Sequence, residues 1–188
     1  DCDLKIGTLT ILDKWILARL TDLVLEVTSS LEKFDSIVSL KLIEDFIIRD
    51  LSTWYIRRSR DRVSVYADEK DRNVSLSVMY GVLVTLSKLL APFTPFITEE
   101  IFRNITNEES VHLQNYPKGD KSLLDEKLIE DMSSVRKIVE LGHAKRKEFG
   151  IKVRQPLAEL TVNNLQFTIN KELKDLIKDE LNVRKVSF

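Results

Sequence analysis

Glycine and proline are scarce in this chain of 188 residues, with five and four copies respectively. These two residue types interrupt helices and supply most tight turns, so a chain with so few of them is more easily built from long helices than from many short strands. Hydrophobic residues make up 43% of the chain, which is enough to bury a core. We therefore predict a folded, mainly α-helical protein.

The sequence contains a single cysteine, Cys2. A lone thiol excludes a disulfide framework or a cysteine-rich metal site within the chain, and it fits a reducing, cytoplasmic setting. Also lacking is a run of about 18 uninterrupted apolar residues, which a membrane span would need. The acidic start, Asp1 to Asp3, has no basic segment like that of a signal peptide. We expect no membrane association.

A large excess of either charge is lacking too, since the formal net charge is -1. A protein whose whole surface attracts nucleic acid would be strongly basic. Any nucleic-acid site in this chain must therefore be a local cluster of cations.

Side chains for catalysis or metal binding are few and badly spaced. His112 and His143 are far apart in sequence, with no cysteine or carboxylate at the spacing of a metal site. The adjacent pairs Glu99-Glu100 and Glu108-Glu109 would point to different faces of a helix. A glycine-rich phosphate loop is missing as well. We expect no catalytic residue, metal or cofactor in this chain.

Apolar residues recur along the sequence at steps of three and four. This spacing places them on one stripe of a helix. These stripes predict four or five helices, over residues 12–31, 40–62, 74–89, 95–105 and 128–149, and the second of them changes from apolar to cationic after residue 54. The second stripe consists of Leu40, Ile43, Ile47, Leu51 and Trp54. Thr94 and Pro95 are suited to begin the fourth helix, and Gly150 to end the fifth. Residues 106–121 are polar and predict a long connection.

Beyond residue 156 the apolar period changes to two, which is typical of strands. Residues 160–162, 165–169 and 186–188 are strand candidates, with a helix capped by Asn170 before the last of them. We predict a helical bundle over residues 8–150 and a small α+β or βαβ-like unit, with an incomplete sheet, over residues 151–188.

One cluster of cations extends from Trp54 to Arg62 and includes Arg57, Arg58 and Arg60. Guanidinium groups bind phosphate oxygens in pairs, and an indole face can stack on an unpaired base, so this combination suits a folded RNA. The alternative places the aromatic residues in the core and pairs the arginines with nearby aspartates.

A second cluster comprises Lys145, Arg146 and Lys147 at the end of the fifth helix, with Lys152 and Arg154 after it. Here the alternative is that cations complement the dipole at a helix C-terminus. Two such clusters in a nearly neutral chain favour an anionic partner.

Four stretches resemble, in the right order, one family of proteins. They are residues 12–20 (Leu-Asp-Lys-Trp-Ile-Leu-Ala-Arg-Leu), 50–60 (Asp-Leu-Ser-Thr-Trp-Tyr-Ile-Arg-Arg-Ser-Arg), 89–102 (Leu-Leu-Ala-Pro-Phe-Thr-Pro-Phe-Ile-Thr-Glu-Glu-Ile-Phe) and 110–117 (Ser-Val-His-Leu-Gln-Asn-Tyr-Pro). Together they resemble the helical anticodon-binding domain that follows the catalytic core in class I aminoacyl-tRNA synthetases for isoleucine, valine and leucine. Residues 150–157 (Gly-Ile-Lys-Val-Arg-Gln-Pro-Leu) are most similar to the isoleucyl enzymes, and the valyl enzymes are the nearest alternative.

This resemblance implies that the chain binds the anticodon arm of tRNA and works as a cytoplasmic monomer without DNA as a partner. The parent enzyme would charge tRNA with isoleucine using ATP and Mg²⁺, whereas the family's ATP-handling signatures are absent from this sequence. Trp15 and Arg19 lie where related synthetases carry anticodon contacts, although Trp15 is equally suited to the core. Outside this family, the remaining alternatives are a helical protein-interaction module and a coiled-coil assembly module.

Overall fold

The computed structural model of the protein describes residues 9–163 and 170–187. The chain forms two compact units: unit 1 ends at Asp125 and unit 2 begins at Glu126. The sequence pattern placed the division after residue 150, but the last long helix packs with the elements that follow it. That helix carries its own apolar stripe, so it can be the base of a second core.

Unit 1 is helical throughout, apart from its connections. Its elements are α1 (Ile11–Glu32), α2 (Ser36–Asp45), a π-helical segment (Phe46–Ile56), α3 (Arg57–Ser59), α4 (Glu69–Leu90), α5 (Pro95–Ile105) and the 3₁₀ turns Val111–Leu113 and Lys121–Leu123. The backbone stays helical from α2 through the π-helical segment into α3, so these three elements are one continuous rod. The predicted helical class is confirmed.

The helix ends follow from capping residues in the sequence. Thr10 and Asp13 form a capping box at the start of α1, and the side chains of Asp35 and Asp68 accept hydrogen bonds from the first turns of α2 and α4. Thr94 precedes α5 as predicted, but its side chain makes no capping hydrogen bond. The missing N–H of proline at the first helical position leaves fewer donors there to satisfy.

The buried side of the rod differs from the predicted stripe. Phe46 and Tyr55, at 1% and 0% exposure, belong to the core, whereas Leu40 is 43% exposed and Ile47 is only half-buried. A π-helix bonds each residue to the fifth along the chain rather than the fourth, so a stripe with steps of three and four moves off the buried face. The predicted burial of Ile47 was wrong for this reason. Leu40 lies in α2, an ordinary α-helix, so the π-helical register does not account for its exposure.

Unit 2 contains α6 (Glu126–Glu148), β1 (Leu157–Thr161), α7 (Lys171–Leu181) and β2 (Val183–Ser187). The two strands pair in parallel, with Leu157 opposite Val183 and Thr161 opposite Ser187, so the unit is built on a β-α-β arrangement. Gly150, with a φ of 66°, follows the end of α6, as the sequence predicts. The strand predicted over residues 165–169 lies outside the described residues.

Helix α4 is long and apolar enough to cross a membrane, judged by length and by a mean hydropathy of 1.4 over 18 residues. Core helices share this composition. In unit 1, Val78, Val82 and Leu89 of α4 are each 0% exposed, so packing within the unit accounts for the apolar character of this side of the helix.

Candidate nucleic-acid interface

The guanidinium group of Arg62 is held by two carboxylates of unit 1. Its Nη1 and Nη2 atoms each donate to one oxygen of Asp13 at 2.9 Å, and Nε lies 3.0 Å from both oxygens of Asp71. The hydroxyl of Tyr55 donates to the same Asp13 carboxylate at 2.7 Å, and Thr10 donates to it through both its backbone N–H and its hydroxyl. This network fastens the end of the rod to the start of α1.

The charges in this network are stabilised against their burial. Burial alone would raise the pKa of Asp13, but hydrogen bonds from Arg62, Thr10 and Tyr55 hold that pKa below its usual value. Burial likewise opposes the charge of Arg62, yet Asp71 and Asp13 raise its pKa. Its side chain is 16% exposed. Arg62 therefore has its donors engaged inside unit 1 and is poorly placed to bind phosphate.

Trp15 and Arg19, the candidates on α1, also serve the packing of unit 1. Trp15 is 1% exposed and leaves no ring face for a base to stack on. Arg19 donates from Nε to Asp50 at 3.1 Å and forms a second ion pair with Asp22, and its side chain is 22% exposed. The alternative that placed Trp15 in the core describes the structure.

Trp54 is similarly buried, at 6% exposure. The guanidinium carbon of Arg57 lies 5.9 Å from the centre of its ring, and Arg57 Nε donates to the carbonyl of Thr53 at 2.8 Å. A cation thus occupies the position over the indole where a base would stack. Arg58 is half-buried, whereas Arg57 and Arg60 are exposed.

The second cluster contains one buried member, Arg146, which is 5% exposed. Its Nη1 atom donates to the carbonyls of Lys152 and Gln155 at 3.0 and 3.1 Å, and its Nη2 atom donates to those of Leu181 and Asn182 at 2.6 and 3.2 Å. This side chain therefore joins the loop after α6 to the end of α7. Sequence reasoning gave Arg146 the same role as its neighbours, because the distant carbonyls are not visible in a local pattern.

The other cations of this cluster lie on the surface of unit 2. Lys145 pairs with Glu148 at 2.8 Å, with both side chains more than half exposed. Lys147, Lys152 and Arg154 are exposed. A phosphate could approach these three more easily than the buried Arg146.

Unit 2 also contains an apolar cavity of about 340 Å³. The described residues around it are mainly aliphatic, with Lys145, Arg146 and Glu159 among them. Within residues 9–163 and 170–187, no three side chains of histidine, cysteine, aspartate or glutamate are grouped to hold a metal ion.

Phe34 is a feature of unit 1 that the helical stripes do not indicate. It lies in the turn between α1 and α2, is 95% exposed and has a φ of 59°, a left-handed conformation that favours glycine. Its neighbour Ile37 is 81% exposed. The available signal in the sequence was an aromatic residue between Lys33 and Asp35, where a polar turn is usual.

Comparison with known proteins assigns the chain to a class of RNA-binding domains. A model of the anticodon-binding domain of tRNA ligases matches residues 13–162, and the chain belongs to this family. The match begins at Asp13, the carboxylate that holds Arg62, and extends beyond β1 of unit 2. Membership of the predicted family is confirmed.

The similar curated proteins are isoleucine-tRNA ligases. Those of Thermus thermophilus and Dehalococcoides mccartyi strain CBDB1 are 39% and 41% identical over 93% and 95% of this chain. The ligase of Pyrococcus furiosus is 38% identical over 93% of the chain. In each case the chain spans only 17 to 18% of the length of the relative.

Proposed function

We propose that this chain is the anticodon-binding segment of an isoleucine-tRNA ligase and that it binds the anticodon arm of tRNA. The match of an anticodon-binding domain model to residues 13–162 carries this proposal. Similarity to isoleucine-tRNA ligases from bacteria and an archaeon supports isoleucine over valine as the amino acid.

The exposed cations of the two sequence clusters are the proposed contacts to the RNA backbone. In unit 1 these are Arg57 and Arg60, with the half-buried Arg58 beside them. In unit 2 they are Lys147, Lys152 and Arg154, together with Lys145, whose exposed ion pair costs little to exchange for a phosphate. Exposed cations attract phosphates through a long-range, salt-sensitive interaction, whereas the buried arginines have no such freedom.

The parent protein, on this proposal, is a cytoplasmic, monomeric ligase that uses ATP and Mg²⁺ to attach isoleucine to its tRNA. That chemistry belongs to parts of the ligase outside this chain. The role of the chain is to position the tRNA, and DNA is not its partner.

The decisive experiment measures the affinity of the chain for three transcripts over a salt series: an isoleucine tRNA, the same tRNA with a changed anticodon, and an unrelated tRNA. We expect the isoleucine tRNA to bind most tightly and the anticodon change to weaken binding. Equal binding of all three would contradict anticodon recognition. Failure of all three to bind would favour a protein-interaction module instead.

A further inference from the structure

We propose that the ring of Phe34 is a stacking platform for an unpaired base of the tRNA anticodon loop. This inference rests on the proposed function, because it assigns a position within the tRNA-binding surface. The observations that carry it are the exposure of the ring, the backbone conformation that presents it, and the place of the turn in unit 1.

The turn that carries Phe34 is rigidly hydrogen-bonded. The backbone N–H of Phe34 donates to the carbonyl of Leu31 at 2.9 Å, and that of Asp35 donates to the carbonyl of Ser30 at 2.9 Å. This pair of bonds is the Schellman arrangement, in which the left-handed residue is usually glycine. The structure therefore presents an aromatic side chain from a fixed backbone at a position where a side chain is unfavourable.

The ring of Phe34 contributes little to the stability of the fold. At 95% exposure it contributes almost no buried apolar surface, so protein packing does not explain an aromatic residue here. Ile37 and Val38, which are 81% and 43% exposed, extend the apolar surface beside it. A flat, exposed ring suits a nucleobase, since stacking requires only one free face and tolerates any base identity.

Charged residues around the ring are compatible with RNA. Lys33 is exposed in the turn and Lys41 is exposed on α2, while Glu32 at the end of α1 is an exposed acidic residue next to Lys33 in sequence. Of the nearby acidic groups, Asp35 is engaged as the cap of α2, where it accepts a hydrogen bond from the backbone of Val38 at 3.0 Å. The two lysines can thus contact the phosphates that flank a stacked base.

The position of the turn separates it from the exposed arginines. Arg62 is hydrogen-bonded to Asp13 at the beginning of α1, and Phe34 follows Lys33, the C-cap residue of α1. A helix of 22 residues spans about 33 Å. Unit 1 can therefore contact the RNA backbone near Arg57 and Arg60 while a base of the loop reaches Phe34 at the opposite end.

The experiment compares Phe34→Gly and Phe34→Trp in the full chain. The probe is the anticodon stem-loop RNA of an isoleucine tRNA, intact or with one loop base removed at a time. We expect Phe34→Gly to weaken binding of the intact stem-loop about tenfold and Phe34→Trp to retain it. Removal of one particular base should weaken binding to the wild type but have no further effect on Phe34→Gly.

Thermal unfolding distinguishes this role from a structural one. Because glycine suits a φ of 59°, Phe34→Gly should raise the unfolding temperature by about 4 °C while it weakens RNA binding. The control is Tyr80→Ala, which removes a ring that is 49% exposed on α4 and should leave RNA affinity unchanged.

Two outcomes would overturn the inference while the wild type still binds tRNA and the proposed function stands. In the first, Phe34→Gly binds the stem-loop as tightly as the wild type does. In the second, the wild type loses the same affinity whichever loop base is removed. A concentration-dependent dimer that Phe34→Gly abolishes, seen by sedimentation, would assign the turn to protein contact instead. If the wild type binds no tRNA at all, the proposed function itself fails.

Discussion

At the scale of single residues, arginines of the same local pattern have different roles because their partners differ. Arg62 is fixed by Asp13 and Asp71, whereas Arg60, two positions away, is exposed. A buried ion pair costs much to desolvate, so its value depends on every remaining oxygen being hydrogen-bonded. Tyr55 and Thr10 meet that condition at Asp13.

The Asp13 carboxylate should make unit 1 sensitive to acid. Its pKa in the folded state lies below the ordinary value of about 3.9, so its stabilising effect is complete above that value and is lost as the pH falls through the folded pKa. At pH 6 we expect Asp13→Asn to lower the free energy of unfolding by about 3 kcal/mol, and the difference from wild type to shrink toward pH 3.

Urea unfolding followed by tryptophan fluorescence measures this effect, since both tryptophans, Trp15 and Trp54, lie in unit 1. The exposed Asp61 provides the control, and Asp61→Asn should change the stability little at either pH. A difference between wild type and Asp13→Asn that stays constant with pH would contradict the assigned role.

At the scale of helices and strands, the contribution of a glycine to stability again depends on its surroundings. Gly81 and Gly142 both lie inside long helices, α4 and α6. A Cβ atom built on Gly81 would have no neighbour within 4 Å, whereas one on Gly142 would lie 2.5 Å from Leu181 of α7. Leu181 is 2% exposed, and its side chain, which also lines the apolar cavity of unit 2, would have to shift.

Replacing each of these glycines with alanine should therefore have opposite effects. Gly81→Ala should raise the stability of unit 1 by about 1 kcal/mol, because alanine is the better helix former. Gly142→Ala should lower the stability of unit 2 by about 1 to 3 kcal/mol through overpacking against α7. Denaturation followed by tryptophan fluorescence for Gly81 and by far-UV circular dichroism for Gly142 tests the pair. Equal effects at both sites would show that the α6–α7 packing is looser than described.

At the scale of the whole molecule, each unit has a packed core of its own and its own exposed cations. The net charge of -1 keeps the chain nearly neutral, so attraction to RNA must come from local clusters. Unit 1 offers Arg57 and Arg60, and unit 2 offers Lys147, Lys152 and Arg154.

The salt dependence of tRNA binding should show which of these clusters touches the RNA. When a cation that contacts a phosphate is replaced by glutamine, the negative slope of log affinity against log salt should become less steep by about 1. We expect this for Arg60→Gln in unit 1 and for Lys152→Gln in unit 2, and no change for Arg103→Gln on α5. An unchanged slope for Arg60→Gln or Lys152→Gln would remove that residue from the proposed interface.

Most of the fold could be predicted from local signals. The apolar stripes of α1 and α4, the capping role of Asn170 and the stop at Gly150 all depend on residues close together in sequence, and the structure confirms them. The register of the π-helical segment could not be predicted, because an ordinary helical period was assumed. The candidate interface was less predictable than the fold, since exposure is decided by contacts between distant residues.

Local sequence determined that this chain is helical, where most of its helices begin and end, and that its cations form two clusters. These properties follow from side-chain spacing and from capping over a few residues. The tertiary structure alone decided which cations of these clusters remain exposed. It buried Arg62 against Asp13, 49 positions away, and Arg146 against Leu181, 35 positions away, while leaving Phe34 exposed at a turn. The reason is physical: a guanidinium group whose donors are taken by carboxylates and carbonyls of the fold has none left for RNA.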